Sequence, residues 1–240
     1  MTPFLKIAYQ PYKWIMVIPF LFLITMFFGL IAIFTGLLFK QDAVNIVAVI
    51  WSRLCCAIVP LKVTIRGKKN YSKNKSYVIV SNHQSMADIP VIHGHLGLNI
   101  KWIMKKELGK IPIFGSACRQ LGCIIVDRAD HDAAVKSIED AKKKLSKKAS
   151  VLFFAEGTRS RDGKVMPFKK GAFRFACETD LPILPVTIKN SFDILPSDSL
   201  DLIPGTIELI VHPPVHFLNH HLTHLDERIE QTRQVISNAL

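Results

Sequence analysis

The sequence predicts an α/β protein, with a mostly parallel central sheet flanked by helices and an N-terminal membrane-embedded two-helix motif. Three observations predict it. Short β-branched runs recur through residues 61–240 with helical patterns between them. A stretch of 26 residues near the N-terminus carries no charge. The mean hydropathy, +0.25, is high for a chain without a membrane segment.

The uncharged stretch runs from Trp14 to Phe39. As a helix it is about 39 Å long, more than the roughly 30 Å of a bilayer's hydrocarbon core. Pro19, Gly29 and Gly36 are expected kink points. No small-residue cleavage pattern follows, which argues against a removed signal peptide. Ala43 to Leu61 is also apolar, but Arg53 sits in its middle. A charge at the bilayer centre costs at least ~2.5 kcal/mol, so this segment is expected at the interface or packed on the domain. Basic residues lie on both sides of the first segment, so charge gives no orientation. A single span and a hairpin sunk into one leaflet both fit. The hairpin is the expected form, because the site described below begins soon afterwards.

Residues 1–60 are thus expected to be membrane-associated helices and 61–240 an α/β domain. The strand candidates are Val63–Ile65, Tyr77–Val80, Ile124–Val126, Val151–Phe154, Ile183–Ile188 and Ile207–Val211, with a further run at Lys101–Met104. Continuous apolar strands alternating with helices argue for a parallel sheet covered on both faces. The clearest helix is 132–148. Val135, Ile138, Ala141 and Leu145 share one of its faces and lysines fill the rest, as on a solvated surface.

The chain has 31 Lys and Arg against 19 acids, a net charge of +12. That surplus favours an anionic partner. Nucleic acid fits least, since no basic-aromatic platform or docking motif is present. The five cysteines form no paired framework and are read as free thiols in a reducing compartment. The histidines between His212 and His224, four of them at positions 216, 220, 221 and 224, lack an H-E-x-x-H carboxylate. No metal is expected there.

The strand Tyr77–Val80 runs into Ser81-Asn82-His83-Gln84-Ser85-Met86-Ala87-Asp88. Chemistry in open α/β sheets collects beyond the C-terminal strand ends. His83 is therefore the candidate base, and Asp88 the carboxylate that fixes its tautomer. The spacing alone is weak, because His221 and Asp226 repeat it in a polar stretch with no strand before it. No G-x-S-x-G elbow supplies a nucleophile. The group that His83 activates is then expected on the substrate, as a hydroxyl.

A second cluster, Ala155-Glu156-Gly157-Thr158-Arg159-Ser160-Arg161, follows Val151–Phe154. Its arginines offer planar donors suited to phosphate. A polar turn with a structural Glu–Arg pair is the other reading. Lys105-Lys106 and Arg128 also follow candidate strands. Positive charge converging beside a general base suggests a phosphorylated alcohol as acceptor.

Asn82 to Pro90 and Phe154 to Ser160 resemble the first and third sequence blocks of the glycerolipid acyltransferases, and most closely those of the 1-acyl-sn-glycerol-3-phosphate (lysophosphatidic acid) branch. Gly122 to Arg128 resembles the second block and Leu181 to Val186 the fourth. Lys105 to Leu108, Ile111 to Gly115 and Pro167 to Ala172 resemble the connecting segments. Ala155 departs from a usual Pro, and Met86-Ala87 from a usual aromatic-Leu pair. The resemblance implies transfer of a fatty acyl chain from a thioester to the sn-2 hydroxyl of lysophosphatidic acid, giving phosphatidic acid. His83 would be the base and Asp88 its orienter. Lys105, Arg128, Glu156, Gly157, Thr158 and Arg159 would bind the glycerol phosphate. No cofactor is expected beyond the acyl-CoA or acyl carrier protein thioester as co-substrate. The expected partners are that donor, lysophosphatidic acid and the lipid bilayer. The inner membrane is the expected location, with the site on its cytoplasmic face. Acylation of another lysophospholipid or of glycerol 3-phosphate is the alternative. A non-catalytic, membrane-anchored basic binding protein would need neither His83 nor Asp88.

Overall fold

The chain begins as one long helical rod. The computed structural model describes residues 3–39, 41–127, 129–144, 148–216 and 224–240. Pro3–Tyr12 (α1), a π-helical turn at Lys13–Val17 and Ile18–Leu38 (α2) follow without a break. Pro19 has no N–H to bond to the Ile15 carbonyl, and the turn opens just before it. Gly29 and Gly36 correct the expected kinks, since α2 runs through both. A Cβ on Gly29 would lie 2.6 Å from Ile113 Cγ2, and one on Gly36 2.4 Å from Gln120 Oε1. Both glycines mark places where the segment 113–121 presses onto the rod.

Gln41–Ile58 (α3) returns beside α2. Trp51 Nε1 donates to Thr25 Oγ1 at 3.1 Å, joining positions on either side of the turn near Phe39. Both helices are long and apolar enough to cross a membrane. Phe22, Phe27, Phe34 and Leu37 of α2 point outward. Val44, Ser52, Cys55 and Cys56 of α3 are instead buried. Arg53 Nε donates to the Gly94 carbonyl at 2.8 Å. The second apolar segment is therefore packed on the domain, and its charge is held there.

Among the described residues seven strands form one sheet. They are Leu61–Arg66 (β1), Val78–Ser81 (β2), Asn99–Lys105 (β3), Ile124–Val126 (β4), Ala149–Phe154 (β5), Ile183–Lys189 (β6) and Gly205–Val211 (β7). Their order is β1-β7-β6-β2-β5-β3-β4. β2 pairs in parallel with both β5 and β6, so Ser81 lies opposite Phe154 and Val186. β7 runs antiparallel to β6 and parallel to β1. The helices are Asp88–His95 (α4), Lys106–Gly109 (α5), Phe114–Leu121 (α6), His131–Lys144 (α7), Gly171–Thr179 (α8), Ser191–Ile194 (α9) and Leu225–Ser237 (α10).

Successive strand residues point to opposite faces. Ile79, Ile100, Leu152 and Leu184 pack with Val91 and Ile92 of α4, in the same apolar cluster as Val44 and Cys56 of α3. Val78, Val80, Val151 and Phe153 pack with Phe173, Phe175 and Ala176 of α8. The chain leaves β2 toward one face and β5 toward the other. A crevice follows between their carboxyl ends, where doubly wound sheets hold ligands.

The lysine-rich helix is α7, with Ile138 and Ala141 set against the second cluster. The side chain of Val135, together with Leu145, lies outside the described residues. In the histidine-rich stretch, His224 stands at the N-cap of α10. His220 and His221 lie outside the described residues.

Candidate active site

Both edges of this crevice carry side chains that the sequence singled out. β2 ends at Ser81, and Asn82 turns inward to lock the exit. Its Nδ2 donates to the Ile188 carbonyl at 2.9 Å and its Oδ1 accepts the Ile188 N–H at 2.8 Å. A fully buried amide thus ties the end of β2 to β6. The next residue, His83, comes out at the crevice with its side chain 15% exposed.

Asp88 opens the first turn of α4 and is fully buried. Its Oδ2 accepts the backbone N–H groups of Gln84 at 2.8 Å and Ser85 at 2.9 Å. The same oxygen lies 2.8 Å from His83 Nδ1. A carboxylate has no proton to give in that contact, so Nδ1 carries the hydrogen and Nε2 is left basic. The ring is also held from the side. It stacks on Phe154 with centroids 3.8 Å apart and planes 12° apart. The sequence marks Phe154 as a strand end and the start of the third block, with no role against the imidazole. Its strand position, directly opposite Ser81 in β5, is the signal that a parallel pairing of the two runs supplies.

Glu156 lies deeper than Gly157, Thr158 and Arg159 of its motif. The family resemblance placed it among the groups that bind glycerol phosphate, yet it is only 4% exposed. Oε1 accepts the His83 N–H at 2.7 Å and Oε2 the Met166 N–H at 2.9 Å. It joins the two motif loops inside the protein, with both oxygens taken by backbone N–H groups. Its expected structural partner changes too. Arg159 Nη2 lies 3.6 Å from Asp198 Oδ1, and Arg161 Nε 3.3 Å from Asp198 Oδ2. The loops are also joined through the Ser160 N–H, which donates to the His83 carbonyl at 2.8 Å.

Gly157 has φ +78°, and a Cβ there would lie 2.8 Å from Lys169 Cε and Nζ. Only glycine accepts that backbone with a lysine packed so closely. Lys169, which the sequence placed merely in a connecting segment, therefore brings its ammonium beside Gly157. Thr158 is exposed in the same turn. Lys105 ends β3 and is exposed, while Lys106 pairs with Asp127 at 2.8 Å. Since β2, β3 and β5 are parallel, Lys105, His83 and the 156–161 turn lie at one sheet edge. Arg128 lies outside the described residues. The departure at Ala155 has a visible consequence, because its N–H donates to the Ser81 carbonyl at 3.3 Å. A proline there has no such donor.

Burial pushes Glu156 from an ordinary 4.5 up to about 7, against the pull of its two N–H donors. Between those values the folded protein keeps a proton that the unfolded chain has released. Glu156 should therefore make stability fall as pH rises from 4.5 to about 7. Glu156→Gln removes this slope and leaves one N–H without an acceptor, at a cost of about 1–3 kcal/mol. Thermal midpoints should show the variant less stable at pH 5, with the gap shrinking or reversing by pH 8. A gap that widens with pH contradicts the assignment.

The model of the acyltransferase family matches residues 62–189. A chloroplastic 1-acyl-sn-glycerol-3-phosphate acyltransferase of Brassica napus is 36% identical over 181 residues, covering 74% of this chain and 52% of the relative. The enzyme of that name from Helicobacter pylori is 38% identical over 135 residues, 56% of this chain and 57% of the relative. The chain spans about half the length of the curated relatives it matches. The crystal structure of the 1-acyl-sn-glycerophosphate (LPA) acyltransferase PlsC from Thermotoga maritima superposes with a TM-score of 0.73 at 28% identity, covering 98% of this chain and 92% of that one. With a family match over more than half its length, laid on strands that bring its motif residues to one crevice, the chain belongs to the acyltransferase family.

Proposed function

We propose that the protein moves a fatty acyl chain from an acyl thioester to the sn-2 hydroxyl of lysophosphatidic acid, giving phosphatidic acid. The observation that carries this reading is the His83–Asp88 pair, 2.8 Å apart at the mouth of a crevice edged by Arg159, Lys169 and Lys105. His83 Nε2 takes the hydroxyl proton as the oxygen attacks the thioester carbonyl. The imidazolium that forms is balanced by Asp88 through Nδ1–H. The new C–O ester bond forms, the C–S bond breaks and the sulfur leaves as thiolate. A thiol's ordinary pKa is about 8.5, so departure needs little acid assistance. That fits a site whose second acid, Glu156, is spent on backbone N–H groups. Acyl-CoA and acyl carrier protein present the same thioester to this geometry.

The lipid substrate and the exposed apolar face of α2 support placement at a bilayer. The helical pair enters one leaflet of the inner membrane, with the crevice open to the cytoplasm. A small apolar cleft between α2, α3 and α6, lined by Phe28, Val44, Trp51, Trp102, Phe114 and Leu121, offers the kind of surroundings that acyl methylenes require.

His83→Ala should lower kcat by ~10²–10⁴-fold with the fold retained. Asp88→Asn should also be severe, because the amide no longer fixes the productive tautomer. Steady-state transfer assays on purified protein check both, with His221→Ala as the control that stays near native. Equal losses at His83 and His221 would refute the dyad.

Arg159→Ala should raise the KM for lysophosphatidic acid strongly and change the donor KM little. Monoacylglycerol, which has no phosphate, should be a poor acceptor with either protein. An equal fold-loss for both acceptors would make Arg159 structural.

Sodium carbonate washing should leave the full chain on membranes. Phe27→Lys combined with Phe34→Lys, at positions that point outward, should release it. Free release of the unaltered chain would contradict the embedded hairpin.

A further inference from the structure

The arginines of the motif turn are already occupied by an anion from the chain itself. Asp198 sits with φ +59° at the tip of the segment between α9 and β7. Its two carboxylate oxygens reach Arg159 and Arg161 separately, at 3.6 and 3.3 Å. The Asp198 side chain is 59% exposed and that of Arg161 87%. Such exposed pairs contribute little to stability, and a doubly charged phosphate displaces them readily.

The ends of the segment are held by core packing, its tip by exposed polar contacts. Ile194, Leu195, Leu202 and Ile203 are buried, and the Ile203 N–H donates to the Ile194 carbonyl at 3.0 Å. The loop is thereby closed at its base, as in a compact surface loop. Two further contacts place it between the site and the N-terminal rod. Ser197 Oγ lies 3.5 Å from the carbonyl of Gln84, the residue after His83. On the far side, the buried Lys13 ammonium donates to the Leu200 carbonyl at 3.1 Å and lies 4.0 Å from Asp201. The Leu200 side chain is 55% exposed beside this contact with the rod.

We propose that residues 196–201 are an acceptor gate: the Asp198 carboxylate holds the phosphate's place on Arg159 and Arg161 and yields it to the incoming lysophospholipid. Lys13 tethers the gate to the helix that faces the lipid. Asp198 sets the apparent affinity for the phosphorylated acceptor in this scheme, because the phosphate has to displace its carboxylate from the arginines before it binds. The proposal rests on Arg159 as the phosphate contact.

Asp198→Asn keeps the shape and removes the competing charge. It should lower the KM for lysophosphatidic acid about two- to fivefold, leave kcat and the donor KM near native, and leave monoacylglycerol kinetics unchanged. Inorganic phosphate, the soluble probe, should inhibit the variant at correspondingly lower concentration. A raised or unchanged KM for lysophosphatidic acid would overturn the gate. Asp198→Ser is the second variant, should the asparagine fold poorly, and carries the same expectation. Amide hydrogen exchange of the full protein in detergent supplies a readout apart from turnover. Short-chain lysophosphatidic acid should speed exchange at residues 196–201 in the native protein, and no change there would also overturn the gate. Failure of the underlying reading looks different. Arg159→Ala would then lose equally with charged and neutral acceptors, whatever Asp198 does.

Discussion

One buried oxygen organises the site. Asp88 Oδ2 accepts two backbone N–H groups and the His83 ring, all within 2.9 Å. The backbone donors fix the loop between β2 and α4, and the ring donor fixes the tautomer. Because the oxygen is fully buried, water does not compete for it. Asp88 is able to orient His83 only because the first turn of α4 starts where it does.

A second carboxylate joins this loop to its neighbour across the sheet. Glu156 spans the His83 and Met166 N–H groups, and Ser160 returns a bond to the His83 carbonyl. Phe154 then lies flat against the imidazole. The base is held by groups from two loops that are 73 residues apart in sequence. Preorganisation of this kind keeps the reacting nitrogen still without using substrate binding energy.

The helical pair is not an appendage on this scaffold. α3 shares an apolar cluster with β2, β5 and α4, while α2 meets the segment 113–121 at two glycines. Lys13 reaches the loop that holds Asp198. The part of the chain that is most lipid-like in composition is thus mechanically continuous with the loops around the crevice.

The sequence by itself determined the strand runs, the helix between them that carries lysines, and the two motif loops. These are local patterns: apolar continuity, periodicity and strand-end position fall within a few residues of one another. The charge at Arg53 also pointed to packing on the domain, where its Nε meets the Gly94 carbonyl. Only the tertiary structure decided that Glu156 faces inward, that Arg159 pairs with Asp198 and not Glu156, and that Gly29 and Gly36 are contacts and not kinks. Each depends on a residue tens of positions away, and β2 lies beside β5 and β6 only after several parallel crossovers. A carboxylate next to arginines in sequence looks like their partner. In the folded chain it is taken by the backbone N–H groups that burial would otherwise leave without an acceptor.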